Sequence, residues 1–236
     1  MTSLKTELVT YRASARAFTG KLVFDEGQAA AAPGILVCHG GAGPGDHELH
    51  VAQRLARTGY AALVADLFGE TFTSREHGVA VIQALVSNPD ELLARAQAAV
   101  NGLATHSAVD GRRLGAVGYC FGGLVVLELA RAGTELAAVV SVHGSLLPRG
   151  STSGPIRARI LICTGAADPF AGRDDREAFE DEMTGRGADW QVLLISGAQH
   201  GFADEGAPAR VGVAFDPRAA DRAWRATRSH FAECLV

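Results

Sequence analysis

Around Cys120 the chain passes from a strand-like run into a helix-like run with no loop between them, and this constrains its fold more than any other segment. Leu114-Gly115-Ala116-Val117 is a short apolar run, and Leu124-Val125-Val126-Leu127-Glu128-Leu129-Ala130 reads as a helix. They are joined by Gly118-Tyr119-Cys120-Phe121-Gly122-Gly123. A strand that becomes a helix within one turn crowds its own backbone, and only small residues beside the turn let it pass. The motif is a nucleophile elbow of G-x-C-x-G type, with a thiol where most such turns carry serine. It would hold the sulfur above a sheet edge at a helix N-terminus, where backbone N–H groups and the helix dipole favour a thiolate. Free cysteine is also common in protein cores, so the rest of the chain decides between a reactive and a buried thiol.

The surrounding pattern predicts an α/β fold with a mostly parallel central sheet flanked by helices. Residues 6–24 alternate apolar and polar side chains (Val9, Tyr11; Phe18, Leu22, Phe24), which predicts an antiparallel hairpin. Thereafter come short, continuous apolar runs: Ile35–Cys38, Ala61–Val64, Gly115–Val117, Ala138–Val142, Ile160–Cys163 and Gln191–Ile195. Such runs, separated by amphipathic segments, mark strands covered on both faces. Helices are expected at about 47–58, 75–104 with a break near Asn88-Pro89, 121–132, 173–186 and 217–234. The whole chain, 1–236, reads as a single domain, with 1–24 supplying antiparallel edge strands. The stretch 143–158 is too short for a lid domain.

In such sheets, chemistry gathers at the carboxyl ends of the strands. Asp168 follows Ile160–Cys163 through Thr164-Gly165-Ala166-Ala167, and His200 follows the run ending at Ile195 through Ser196-Gly197-Ala198-Gln199. The chain order of thiol, acid and histidine matches that of α/β-hydrolase triads. A histidine must exchange a proton with the thiol and the leaving group, and a carboxylate must fix its tautomer. His39-Gly40-Gly41-Ala42-Gly43-Pro44-Gly45 follows another strand and is placed to supply a backbone N–H for an oxyanion hole. Gly41 and Phe121 are the donors expected. The same loop lacks the Gly-Lys-Ser/Thr ending of a P-loop and the G-x-G-x-x-G dinucleotide spacing, which argues against nucleotide binding.

Other groups compete. Asp66 is a rival acid, disfavoured because it precedes the cysteine. His143 closes a strand and should lie near the site. His47, Glu48 and His50 share a helix start, but no fourth metal partner accompanies them.

With 47% hydrophobic residues over 236 positions, the chain can bury one sizeable core. The net charge of −4 offers no basic face for nucleic acid or an anionic membrane. The N-terminus carries no apolar signal core, and no apolar run approaches membrane length. Cys38, Cys120, Cys163 and Cys234 show neither paired nor metal-like spacing, and Cys38 and Cys163 read as small core residues. A reduced, cytoplasmic enzyme, monomeric or a small homo-oligomer, is the expectation.

The chain resembles the dienelactone hydrolase (carboxymethylenebutenolidase-like) family of α/β hydrolases. The resemblance rests on Gly118–Gly123, Ala65-Asp66-Leu67-Phe68-Gly69, Gly165-Ala166-Ala167-Asp168 and His200-Gly201-Phe202-Ala203, and spans the chain from about residue 14 onward. It implies an α/β-hydrolase fold, a Cys120-His200-Asp168 triad, and hydrolysis of a small ester or lactone with no cofactor and no metal. By position, His39, His143, Phe202 and Asp204 are expected beside the substrate. The sequence departs from the family twice: His39 stands where prototypes carry a glutamate, and Asp204 where they carry an arginine for the substrate carboxylate. An acid there repels an anionic lactone. The same residues admit a general carboxylesterase or thioesterase, or a catalytically weak relative that binds a ligand or partner.

Overall fold

The structure, a computed structural model, describes residues 3–150 and 154–235. Strands β1 (Leu4–Ala13) and β2 (Arg16–Asp25) form an antiparallel hairpin at one edge of the sheet. The alternation that predicts the hairpin has its physical cause in the inward row Val9, Tyr11 and Ala13, which is buried while Leu8 faces solvent. Tyr11 and Phe18 pair across the hairpin with ring centroids 6.0 Å apart. β2 then pairs antiparallel with β4 (Ala61–Ala65). All later pairings are parallel, among β3 (Ala32–Cys38), β4, β5 (Val109–Tyr119), β6 (Ala138–Val142), β7 (Arg159–Gly165) and β8 (Trp190–Ile195). The order across the sheet is β1-β2-β4-β3-β5-β6-β7-β8.

The apolar runs lack alternation because both faces of the central strands are covered. One face, with Leu36, Leu63, Ala116, Val139 and Ile162, packs against α3 (Pro89–Ala104), α4 (Phe121–Arg131) and α5 (Arg173–Gly185). The other, with Ile35, Val37, Val117, Val140 and Leu161, packs against α1 (Asp46–Ala56) and α6 (Pro217–Leu235). The expected break near Asn88-Pro89 separates α2 (Arg75–Val86) from α3, where the Asn88 side chain accepts the Glu91 N–H and proline occupies the first turn. One expectation is corrected. The run 191–195 is an edge strand rather than a fully covered one: among the described residues β8 pairs only with β7, and Leu194 is 49% exposed.

Within the stretch 143–158, residues 151–153 lie outside those described. Its first part is tied down by a buried ion network. Arg131, fully buried, donates to Glu128, Glu182 and the Leu146 carbonyl, and Glu128 accepts the N–H groups of Arg149 and Gly150. A buried guanidinium is tolerated only when its donors are matched in this way.

The tightest backbone crossing lies where α4 begins. A Cβ on Gly122 would run into the Cys38 and His39 carbonyls, which are main-chain atoms that cannot rotate away. Gly122→Ala is therefore expected to cost at least about 3 kcal/mol in denaturant unfolding, the upper end for forced overpacking. Gly185→Ala, where a Cβ would meet nothing within 4 Å, is expected to be close to neutral.

Candidate active site

Cys120 caps the N-terminus of α4 with φ 53° and ψ −113°, a left-handed backbone that L-residues enter only when the surroundings force it. The forcing is visible on both sides. A Cβ on Gly118 would collide with the Gly122 backbone, and one on Gly123 would meet Ser141 Oγ at 2.6 Å. The Cys120 carbonyl accepts from the Gly123 and Leu124 N–H groups, and its own N–H donates to both Val142 O and His143 Nδ1 at 3.1 Å. The thiol is left half-buried, facing the carboxyl ends of the strands.

Two loops bring the other expected residues to it. His200 Nε2 lies 3.1 Å from Cys120 Sγ, and His200 Nδ1 lies 3.0 Å from Asp168 Oδ2. His200 is held by main-chain bonds to the later segment 212–214, its N–H donating to Gly212 O and its carbonyl accepting from the Ala214 N–H. The second Asp168 oxygen accepts the Phe170 N–H at 2.8 Å, so the carboxylate is fixed before it meets the imidazole. Phe170 stands edge-on to the His200 ring, centroids 4.9 Å apart, and is half exposed. Asp66, the rival acid, spends its side chain on the N–H groups of Phe68 and Gly69.

Burial alone would discharge His200, but its bonds to Asp168 and Cys120 outweigh burial and raise its pKa from 6.5 to about 9. The other three cysteines are buried or partly buried. Burial pushes their thiols up, that of Cys163 to about 12.

The glycine loop after β3 is braced from below. Glu48, buried at the start of α1, accepts the Gly45 N–H at 3.0 Å and the Gly40 N–H at 3.2 Å. Gly40 is so engaged, whereas no protein acceptor among the described residues takes the Gly41 or Phe121 N–H. The Glu48 brace is missed by reading the sequence for catalytic types. Its signal was the Gly45-Asp46-His47-Glu48 spacing, half of a capping box.

Three expected substrate contacts are corrected. His39 is fully buried, its Nδ1 bonded to the Gly40 carbonyl and its Nε2 accepting the Leu67 N–H, so it braces the loop and presents nothing to a ligand. Phe202 is fully buried, and His143 is 2% exposed; they pack together behind the elbow. Asp204 alone of the four reaches solvent, 36% exposed, with Oδ1 3.7 Å from His47 Nδ1. His47, Glu48 and His50 form no metal-competent cluster among the described residues.

The His200 proton provides a test. A group whose folded pKa lies above its unfolded value stabilises fully below the lower value and ceases to do so as pH rises through the higher. The His200 contribution should therefore be complete below about pH 6.5 and disappear as pH passes about 9. Ring titration by NMR is expected to give a midpoint near 9 in the wild type and lower midpoints in Asp168→Asn and Cys120→Ala.

Comparison with known proteins bears on the family and the fold. Residues 19–235 match the Dienelactone hydrolase family. A solved structure described as m3DLH is 36% identical, with a TM-score of 0.94 over 99% of both chains. A dienelactone hydrolase-like promiscuous phosphotriesterase from metagenomic libraries is also 36% identical, with a TM-score of 0.95 over 99% of this chain and 100% of its own. A Bradyrhizobium protein named "Probable 2-oxo-3-(5-oxofuran-2-ylidene)propanoate lactonase" is 28% identical over 207 residues, 83% of this chain and 81% of that one. With its mostly parallel eight-stranded sheet, its glycine-bound elbow and this match along nearly its whole length, the chain belongs to the dienelactone hydrolase family of α/β hydrolases.

Proposed function

We propose that the protein hydrolyses a small carboxyl ester or lactone through an acyl-thioester on Cys120, with His200 as acid and base and Asp168 as its orienting carboxylate. The observation that carries this reading is the continuous chain from Sγ to Nε2 at 3.1 Å and from Nδ1 to Oδ2 at 3.0 Å, mounted on a strained elbow. A His200 that keeps its second proton to about pH 9 supports a resting imidazolium whose Nε2–H is donated to the sulfur. The sulfur attacks the carbonyl carbon, forming the C–S bond as the carbonyl oxygen becomes an oxyanion between the Gly41 and Phe121 N–H groups. Collapse breaks the ester C–O bond, and the leaving oxygen takes the His200 proton. Water then attacks the thioester, giving its proton to His200, and the C–S bond breaks to release the acid and restore the ion pair. Ester and lactone leaving groups suit a thiolate better than amides, which disfavours a peptidase.

Phe72 and Ile82, both partly exposed, stand beside the glycine loop: Phe72 packs on the buried Phe68 with ring centroids 4.8 Å apart, and a Cβ on Gly41 would come within 3.1 Å of Ile82 Cδ1. This apolar wall supports a small acyl group. Asp204 supports a neutral or cationic substrate over an anionic lactone. The lactonase name of the Bradyrhizobium relative supports the reaction class. A second reading is favoured by the metagenomic neighbour, whose description as a promiscuous phosphotriesterase makes an aryl dialkyl phosphate a side substrate to assay. The free thiols and the lack of any membrane-length apolar helix among the described residues accord with a cytoplasmic setting.

Cys120→Ala is expected to abolish p-nitrophenyl acetate hydrolysis, a fall of about 10³-fold or more for a removed nucleophile. Equal rates in wild type and variant would remove Cys120 from the mechanism. Asp204→Arg is expected to raise kcat/KM for an anionic lactone relative to a neutral one by about tenfold, the effect of roughly 1.4 kcal/mol. No change in that ratio would detach Asp204 from substrate choice.

A further inference from the structure

We propose that His143 is a positioning residue for the nucleophile: a buried imidazole that accepts the backbone N–H of Cys120 at Nδ1 and sets the His200 ring through its edge. The inference rests on the reading of Cys120 as nucleophile and adds a residue that the triad does not include.

His143 directly follows β6 in a left-handed conformation, φ 42°, with its own N–H donated to Cys163 O on β7 at 2.8 Å. That backbone turn folds the side chain back beneath the elbow. Histidine is among the residues that tolerate the left-handed region, so the turn is accessible without glycine. From there Nδ1 lies 3.1 Å from Cys120 N, and the ring meets His200 nearly edge-on, centroids 5.2 Å apart at 65°. Phe202 presses on it from another side at 5.2 Å and 79°. Only 2% of the residue is exposed.

The chemistry of the contact fixes the tautomer. An amide N–H points at Nδ1, so Nδ1 carries a lone pair and the ring proton resides on Nε2, which has no partner among the described residues. Protonation of Nδ1 would set two donors against each other. It would also place a cation between His200 and His47, the titratable rings that face it, with Tyr119 and Cys120 completing its surroundings and Asp204 reaching only His47. Burial and both histidines push the His143 pKa well below 6.5, so the ring stays neutral while His200 is charged.

What this does for the reaction follows from the elbow. The position of Sγ depends on the φ of Cys120, and that angle is set by the orientation of the peptide before it. Two acceptors, Val142 O and His143 Nδ1, hold that peptide. Without the second, the plane is freer to tilt and Sγ to leave its 3.1 Å contact with His200. A misplacement near 1 Å at a reacting group costs about 10²-fold in rate.

The test separates this role from packing. In His143→Asn the side-chain oxygen can occupy the Nδ1 position; in His143→Gln it lies one bond further out. The Gln variant is expected to lose about 10- to 100-fold in kcat with KM within about twofold, and Asn to recover most of that loss. Alkylation of Cys120 by iodoacetamide should slow in Gln and not in Asn, at matched Tm. Equal losses in both variants, recovery by Gln rather than Asn, or a loss confined to KM would overturn the proposal. Nitrogen-15 spectra of the wild type decide independently of how the variants fold: a bare Nδ1 and protonated Nε2 on His143 support it, and a protonated Nδ1 refutes it. Neither labelling nor the spectrum needs turnover, so an active Cys120→Ala would refute the nucleophile and leave the His143 result standing by itself.

Discussion

Everything in the site depends on one backbone contact, the approach of Gly122 to the end of β3. Because α4 starts directly against the Cys38 and His39 carbonyls, Cys120 is forced into its left-handed turn and its thiol is lifted clear of the sheet. The same contact sets the Phe121 N–H beside the glycine loop that continues from β3. The proposed nucleophile and the proposed oxyanion donor Phe121 thus share one constraint. Strain at the turn is held by packing on both sides of the sheet, which is where a local cost of this kind must be met.

The electrostatics obey the same economy of parts. Buried groups here are neutral or matched: His39 between two main-chain groups, Glu48 between two N–H groups, Arg131 among carboxylates. His200 is the exception that keeps a proton, since its two partners outweigh the burial that discharges His143 only 5.2 Å away. Two neighbouring imidazoles are driven apart by what each is bonded to. In the proposed mechanism that divergence lets one exchange protons while the other serves as a fixed acceptor.

The sheet, the elbow and the three residues now gathered at 3.0–3.1 Å were legible because each carries a local signature. Glycines bracket Cys120, apolar runs mark the covered strands, and Asp168 and His200 follow strands in the expected order. What escaped notice depends on packing between distant segments. His39 and Phe202 look like site residues by position, and only the packing of Phe68 and Phe121 on the His39 ring, and of Phe202 into the core that α6 shares, shows that they face inward. His143 and Glu48 meet main-chain N–H groups, His143 with no residue pattern to display it and Glu48 with only the half capping box that begins at Gly45. The edge position of β8 was hidden because its apolar run, with Leu194 outward, is no different in composition from a covered strand.

The central claim is that Cys120 carries the acyl group, and trapping that group tests it most directly. The protein would be mixed with p-nitrophenyl acetate, quenched in acid within the first turnovers, digested and read by mass spectrometry. The account predicts an acetyl group on the peptide containing Cys120, forming with the first equivalent of p-nitrophenolate and missing from Cys120→Ala. Release of p-nitrophenolate with no acetyl on Cys120, or with acetyl on another residue that turns over at the same rate, would contradict it.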